Sequence, residues 1–223
     1  MLPILRKETI PMKTPITKAR LKHHLTYNLW KYALVLIFSL MGWNLIYTTT
    51  AYRPPENKKV DVYISASSGD QDAMDAYLEN IRQTEMPDME QMQCVMMNTA
   101  AAGDYYGTMQ LATYIMAGEG DIYLLAKDTF ISYAGQGAML PLEEYVENGQ
   151  LDTRGLDVEK GWRVESETGE RHLFGIPAEN LTGLSQYGMT NLKDTYLCII
   201  AANGNTENAV KLLDILIRDH VAQ

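Results

Sequence analysis

A run of 21 uncharged residues, from Tyr32 to Tyr52, constrains this chain more than any other feature of its sequence. A helix of that length, rising about 1.5 Å per residue, spans the roughly 30 Å hydrocarbon core of a bilayer. Aromatic side chains lie mostly toward the ends of the run, as they do at membrane interfaces. Residues 1–31 carry seven Lys or Arg and one acidic residue, so the N-terminus is expected to be cytoplasmic. The run therefore predicts one transmembrane helix in contact with the lipid bilayer.

The alternative for this segment is a cleaved signal peptide, because Thr49-Thr50-Ala51 resembles a small-residue cleavage site. The charged region before the run is about 30 residues long, which favours an uncleaved anchor. We therefore predict a single-pass protein of the cell membrane with an extracytoplasmic C-terminal domain. Its predicted segments are a basic cytoplasmic tail (1–28), the transmembrane helix (29–52), a linker (53–59) and the outer domain (60–223).

Charge and motifs exclude several classes of function for the outer domain. Residues 53–223 carry twelve Lys or Arg against twenty-seven Asp or Glu, and this net charge of −15 repels the phosphates of nucleic acids. The sequence has no zinc-protease, nucleophile-elbow or dinucleotide-binding pattern, so we predict that the protein is not an enzyme. The spacing of Met86, Met89 and Met92 suits Cu(I), but methionines also fill irregular cores, and we favour that role. We predict no cofactor and no metal site.

Strand-like and helix-like segments alternate through the outer domain. Apolar periodicity predicts strands at 60–66, 93–99, 121–126 and 195–202, a hairpin within 162–176, and helices that begin near residues 70, 104, 142 and 205. The apolar face of the second of these helices is assigned to Tyr105, Met109, Ala112, Ile115 and Met116. Repeated strand–helix units give a mainly parallel sheet covered on both faces. The predicted fold is therefore α/β: a single three-layer lobe with a mostly parallel five-stranded sheet.

Four stretches of the outer domain carry a family resemblance: VDVYISASSGDQDAMDAYLENI, TMQLATYIMAGEGDIYLL, GERHLFGIPAEN and TYLCIIAANGNTENAVKLLDILIRD. In order and spacing they resemble the first lobe of the extracellular solute-binding proteins of bacterial ABC importers, which have a type 2 periplasmic-binding-protein fold. In that family most of a second lobe separates the last two stretches. Here only about 15 residues, Leu181–Thr195, lie between them. The resemblance therefore implies one lobe without the opposing lobe that would close over a ligand.

The resemblance also bears on the two cysteines and on the ligand site. It places Cys94 and Cys198 three strand spacings apart, about 14 Å, so no disulfide is expected. Ligands of open α/β folds bind outside the carboxyl ends of the parallel strands. The polar residues expected at that edge, and therefore the predicted ligand-binding residues, are Ser65, Ser67, Ser68, Asp70, Thr99, Lys127, Asp128, Thr129, Tyr133, Glu179 and Asn180.

These observations favour a membrane-anchored, non-catalytic module that resembles a solute-binding protein and is accessory to an ABC-type import system. The expected ligand is a small solute, either a sugar, a peptide or an amino acid. The expected protein partners are a membrane transporter or further copies of the chain in a homo-oligomer. The alternative is a structural or protein-interaction subunit of a membrane complex that has no small-molecule ligand.

Overall fold

The chain divides into two compact units. The computed structural model describes residues 17–65, 69–97, 105–189, 191–202 and 204–221, and the units are Met1–Arg53 and Pro54–Gln223. The first unit contains the helix α1 (Lys18–Thr50). Its part Leu21–Thr50 is long and apolar enough to cross a membrane. A helix of this length and composition fits either a membrane anchor or a signal sequence.

α1 begins at Lys18, inside the segment predicted as a tail. The sequence Lys18-Ala-Arg-Leu-Lys consists of residues with high helix propensity, so the helix continues through the charged region that precedes the apolar run. At its other end the hydroxyl of Thr50 donates to the carbonyl oxygen of Ile46, at 2.6 Å. This bond satisfies the Thr50 hydroxyl within the helix, as polar groups in an apolar environment require.

The second unit contains seven strands, five α-helices and three short 3₁₀ helices among the described residues. The strands are β1 (Lys59–Ile64), β2 (Gln91–Met96), β3 (Ile122–Ala126), β4 (Trp162–Val164), β5 (Arg171–Leu173), β6 (Ile176–Pro177) and β7 (Thr195–Ile199). The α-helices are α2 (Gln71–Thr84), α3 (Tyr105–Ala117), α4 (Lys127–Gly135), α5 (Glu143–Glu147) and α6 (Thr206–His220). Short 3₁₀ helices lie at Glu56–Lys58, Glu159–Gly161 and Thr182–Tyr187.

Five of the strands form one sheet in the order β2-β1-β3-β7-β6. β1 pairs in parallel with both β2 and β3, whereas β7 is antiparallel to β3 and to β6. Four strands therefore run in one direction and the returning strand β7 runs in the other. The predicted α/β fold with a mostly parallel five-stranded sheet is confirmed. β4 and β5 form a separate antiparallel hairpin, which is where the sequence predicts one.

Buried side chains on the central strands alternate between two apolar clusters. On β1, Val62 and Ile64 belong to the first cluster, whereas Tyr63 belongs to the second. The first cluster also contains the buried residues of α2 and α6, and the second contains those of α3 and α4. Every residue of β1 after Lys59 is buried, as expected for a strand that is covered on both sides.

The short connection Leu181–Thr195, here named the connector, joins two strands of the same sheet. Ile176 of β6 pairs with Leu197 of β7, and Pro177 pairs with Tyr196. No second sheet body intervenes among the described residues, so those of the second unit form one lobe around one main sheet. The sequence prediction of a brief connection within a single sheet is correct.

The two cysteines lie on strands that are separated by two others. Cys94 is on β2 and Cys198 is on β7, with β1 and β3 between them. Both are buried free thiols, and burial raises the pKa of Cys94 to about 12. Met86, Met89 and Met92 are all buried in the first cluster, so the core-filling role predicted for them is confirmed.

The structure corrects the predicted apolar face of α3. The side of this helix that is buried consists of Gly107, Leu111 and Ile115. Of the five residues assigned to the apolar face, only Ile115 is buried, whereas Tyr105, Met109 and Met116 are exposed and Ala112 is half-buried. α3 has no charged residue to mark its solvent side, so periodicity alone selected the wrong stripe.

The sequence prediction also missed α4, which follows β3 without a loop. Only Phe130 and Ala134 of its nine residues are buried, one helical turn apart. A single apolar pair is too little periodicity to distinguish a short helix from a loop.

Candidate functional site

The candidate site lies at the carboxyl edge of the main sheet, where β1, β3 and β6 end and the antiparallel β7 begins. Ala126, the last residue of β3, pairs with Thr195, the first residue of β7. Pro177, the last residue of β6, pairs with Tyr196. The segments that leave β3 and β6 therefore meet the connector at this edge. It is also the edge at which open α/β folds bind their ligands.

The described polar residues that follow β1 stabilise the fold. Ser65 is buried, and its hydroxyl donates to the carbonyl oxygen of Leu124 on β3 at 3.2 Å. Asp70 caps α2, since its carboxylate accepts a hydrogen bond from the Ala73 N–H at 3.1 Å. The predicted site residues Ser67, Ser68 and Thr99 lie outside the described residues.

Three further predicted residues, Lys127, Asp128 and Thr129, form the first turn of α4. The Lys127 N–H donates to the Asp194 carbonyl oxygen at 2.9 Å, and its ammonium lies 3.7 Å from the Asp194 carboxylate. Tyr133 lies about 9 Å further along the helix axis. It is half-buried against the second cluster, and this burial raises its pKa. Lys127 therefore connects the start of α4 to the turn before β7, whereas Tyr133 lies further along the same helix.

The remaining predicted residues, Glu179 and Asn180, line an open cleft of about 460 Å³. Its other lining residues come from the connector: Thr182, Ser185, Met189, Asn191, Leu192 and Lys193. The Lys160 ammonium donates to the Glu179 carboxylate at 2.7 Å, and this ion pair balances the negative charge of Glu179 at the cleft wall. The cleft therefore combines two predicted residues with six that the sequence prediction missed.

Four of the polar side chains that line the cleft are uncharged, and Lys193 and Glu179 add one charge of each sign. Asn180, Thr182, Ser185 and Asn191 supply neutral amide and hydroxyl groups that both donate and accept hydrogen bonds. Met189 is buried beneath them and provides an apolar floor. Six of the eight lining residues are polar or charged, so the cleft is more polar than most small-molecule sites, which are lined mainly by apolar side chains.

The connector is held in place by its own buried side chains. Leu181, Leu184, Met189 and Leu192 are all buried and belong to the first cluster. Their spacing of three, five and three residues, with polar residues between them, was the sequence signal that this segment folds onto the core. The predicted ligand-binding residues therefore include none from the connector.

The connector also covers the start of α2. The N–H of Asp70 donates to the Tyr187 carbonyl oxygen at 2.7 Å. A Cβ atom on Gly69 would lie 2.8 Å from that same carbonyl oxygen and 2.9 Å from the Met96 methyl carbon, so only glycine permits this approach. Part of the carboxyl edge is therefore occupied by the chain itself.

Buried polar groups form a second cluster at the opposite, amino edge of the sheet. The Asp121 carboxylate accepts hydrogen bonds from the Asp61 N–H at 2.7 Å and from the Asn205 side-chain amide at 2.9 Å. Burial raises the pKa of Asp121 to about 6, although both hydrogen bonds lower it. The Asp61 pKa is also raised by burial, and the Lys59 ammonium lies 3.7 Å away. The cluster ties the starts of β1, β3 and α6 together.

Within the residues that the structure describes, no group of three or more His, Cys, Asp or Glu side chains converges as a metal site would require.

Comparison with known proteins finds no matching family model and no significantly similar curated protein. Similar solved structures include bacterial solute-binding proteins. One is the extracellular solute-binding protein family 1 from Alicyclobacillus acidocaldarius, with 15% identity over 53% of this chain and 27% of that chain, at a TM-score of 0.40. Another is the ABC substrate-binding protein from Listeria monocytogenes in complex with cycloalternan, with 20% identity over 52% of this chain and 28% of that chain, at a TM-score of 0.38.

A third similar structure is CpMnBP1 with mannotriose bound, with 18% identity over 59% of this chain and 33% of that chain, at a TM-score of 0.40. The chain spans about a third or less of the length of these three proteins.

Proposed function

We propose that the chain is a membrane-anchored, non-catalytic module of the solute-binding-protein type, accessory to an ABC-type import system. In this proposal α1 anchors the chain and the acidic outer domain lies outside the cell. The outer domain is a three-layer lobe, with α2 and α6 on one face of the sheet and α3 and α4 on the other. The strand order and the two apolar clusters support this arrangement, as does the resemblance carried by the four sequence stretches.

The observation that carries the proposal is the cleft at the carboxyl edge of the sheet. Its volume of about 460 Å³ lies within the range typical of small-molecule sites. Its neutral amides and hydroxyls suit the hydroxyl groups of a sugar better than a charged ligand. The net charge of −15 on residues 53–223 further disfavours an anionic solute. We therefore propose a neutral polar solute, with sugars ahead of peptides and amino acids.

A single lobe contacts only one side of such a ligand. Solute-binding proteins gain affinity by closing a second lobe over the first, and that contact is absent from the described part of this chain. We expect the chain alone to bind with a Kd of about 1 mM, equivalent to about −4 kcal/mol. In the proposal a membrane transporter supplies the other wall, so tight binding requires that partner.

Isothermal titration calorimetry of the full chain in detergent tests the solute site. Mannobiose, mannotriose and cycloalternan are the first probes, because similar structures are named for sugars, followed by neutral amino acids and short peptides. Asn180→Ala is expected to weaken sugar binding at least threefold. Asn148→Ala, at an exposed position outside the cleft lining, is expected to leave it unchanged. Equal effects of the two variants, or heats absent for every probe at 10 mM, would contradict the proposal.

One observation favours the alternative of an interaction subunit without a small-molecule ligand. The connector occupies the space above Gly69 and Asp70, so the chain fills part of its own carboxyl edge. If the cleft is instead a protein contact, Asn180→Ala lowers the amount of chain recovered with its membrane complex while no sugar binds. Quantitative co-purification from membranes measures this outcome.

A further inference from the structure

The outward side of α3 carries an apolar stripe that the fold leaves exposed. Tyr105, Met109 and Met116 are 70%, 50% and 84% exposed, and Ala112 is half-buried between them. Helical geometry of about 100° per residue puts these four residues within about 60° of one another, and their centre lies about 130° around the helix from that of the buried face. α3 contains no charged residue over its 13 positions. Large exposed apolar side chains that are grouped in this way mark an interaction surface.

The stripe has the spacing of a helix–helix contact. Its members lie at i, i+4, i+7 and i+11, which is a seven-residue repeat of apolar positions. The positions of the four residues are also symmetric about the middle of the helix. In an antiparallel pair of identical helices, Tyr105 meets Met116 of the other copy, and Met109 meets Ala112. Each pair joins a larger side chain with a smaller or more flexible one, and Met–Tyr contacts are favourable. The stripe therefore complements itself.

Charge favours a second copy over a lipid surface as the occupant. A helix that lies on a membrane is usually rich in Lys and Arg on its polar side, and α3 has none. The outer domain, with a net charge of −15, is repelled by anionic lipid. Two copies of an acidic domain repel each other in most orientations. The electrostatic repulsion is weakest where each copy presents a helix without charge, so α3 is the surface through which two copies approach most readily.

The first unit contains an independent feature that also favours a second copy. Asn44 lies exposed on α1, within the predicted span, and its side chain makes no hydrogen bond among the described residues. An amide both donates and accepts, so the Asn44 side chains of two copies can bond to each other. Such bonds between helices stabilise association in membranes.

We propose that α3 is a self-association surface, at which two copies of the chain pair antiparallel through Tyr105, Met109, Ala112 and Met116. The stripe is about 17 Å long and about 10 Å wide, on the order of 200 Å² per copy. A stable complex buries about 800 Å² per partner, so the pairing is weak between free domains. Tethering both copies to one membrane raises their effective concentration enough to populate the pair. The proposal rests on the anchor for this step and for the Asn44 contact.

Site-specific cross-linking in isolated membranes tests the pairing. One full-length copy carries Tyr105→Cys, a second and differently tagged copy carries Met116→Cys, and a short bismaleimide joins them. Both positions are exposed, whereas the native Cys94 and Cys198 are buried. The mixed pair is expected to cross-link at least five times more than either variant with itself, because like positions lie about 17 Å apart along the antiparallel helices. Equal yields for all three combinations would overturn the antiparallel pairing.

The second part of the test introduces a charged residue into the stripe. Met109→Glu in both copies is expected to reduce the mixed cross-link at least tenfold. The control Val164→Glu adds the same charge at a 54% exposed position on β4 and is expected to have no effect. A cross-link that is insensitive to Met109→Glu would overturn the proposal. The proposal would also be overturned if no cross-link formed and the introduced cysteines were protected from maleimide only by intact lipid, or only by a co-purifying protein.

Membrane fractionation of the same samples separates this proposal from the anchor. If the chain is found in the soluble fraction, the anchor is refuted. The cross-linking experiment is then repeated in the soluble fraction at millimolar chain concentration. Its result decides whether two copies pair through α3.

Discussion

Asp121 makes the stability of the outer domain depend on pH in a direction opposite to that of a typical surface carboxylate. Its pKa rises from 3.8 to about 6 because burial disfavours the charged form. A proton is therefore bound more tightly in the folded state. The resulting stabilisation is fully present below pH 3.8 and is lost as pH rises through about 6. Asp121→Asn, which cannot titrate, removes this contribution.

The magnitude follows from the two pKa values. Proton linkage gives about 1.4 kcal/mol of added stability at pH 5.0 relative to pH 7.5, and a total of about 3 kcal/mol over the whole range. The parent protein should therefore gain about 1.4 kcal/mol more than Asp121→Asn between pH 7.5 and pH 5.0. Comparing the two proteins cancels the titrating groups that do not interact with Asp121. The Asp61 carboxylate does interact with Asp121 and helps to raise its pKa, so the difference reports on this pair of carboxylates.

Urea denaturation of the full chain in mild detergent measures this difference. Trp162 reports on the outer domain when Trp30 and Trp43, the other two tryptophans, are replaced by Phe. Asp88→Asn, at an exposed turn, serves as the control and should follow the parent at both pH values. A difference below about 0.3 kcal/mol between parent and Asp121→Asn, or one of the opposite sign, would refute the reasoning.

Three further outcomes follow from the contacts of the outer domain. Leu184→Ala, which removes a buried connector side chain, should lower the free energy of unfolding by about 3 kcal/mol in urea denaturation. Gly69→Ala should lower it by about 1–3 kcal/mol, because the new Cβ would clash with the Tyr187 carbonyl oxygen. A hydrogen bond with Glu143, at 2.5 Å, raises the pKa of His172, so its stabilising effect is present below about 6.5 and is lost as pH rises through the higher folded value. His172→Gln should therefore destabilise the domain more at pH 6 than at pH 8, as measured by thermal unfolding.

The central strands and the last helix could be predicted from sequence because their residues carry one dominant signal. β1 has an almost unbroken run of buried apolar residues, and α6 places eight buried residues along one stripe. For such elements, local preference and tertiary packing agree. α3 shows the opposite case, since its apolar residues surround the helix and only the sheet decides which of them are buried. Tyr105 and Met116 satisfy the periodicity yet face solvent.

The candidate site was less predictable than the fold, because a site depends on which segments meet. Glu179 and Asn180 were predicted from the rule that ligands bind beyond the strand ends, and they do line the cleft. Ser65 obeys the same rule, but its hydroxyl is used between β1 and β3. Thr182 and Asn191 lie on the connector, and their approach to the cleft depends on how that segment folds back. The spacing of the buried connector residues indicates that the segment folds onto the core, but it does not specify the path that brings Thr182 and Asn191 to the cleft.

The connector explains how a single lobe remains stable without an opposing one. A loop that only joined β6 to β7 would leave the edge of the first cluster exposed to water. The connector instead buries Leu181, Leu184, Met189 and Leu192, and each such side chain contributes about 1.5–3 kcal/mol. Together they contribute about 6–12 kcal/mol, which offsets the entropy cost of ordering the connector. The connector therefore covers the apolar edge of the first cluster that a plain loop would leave open to water.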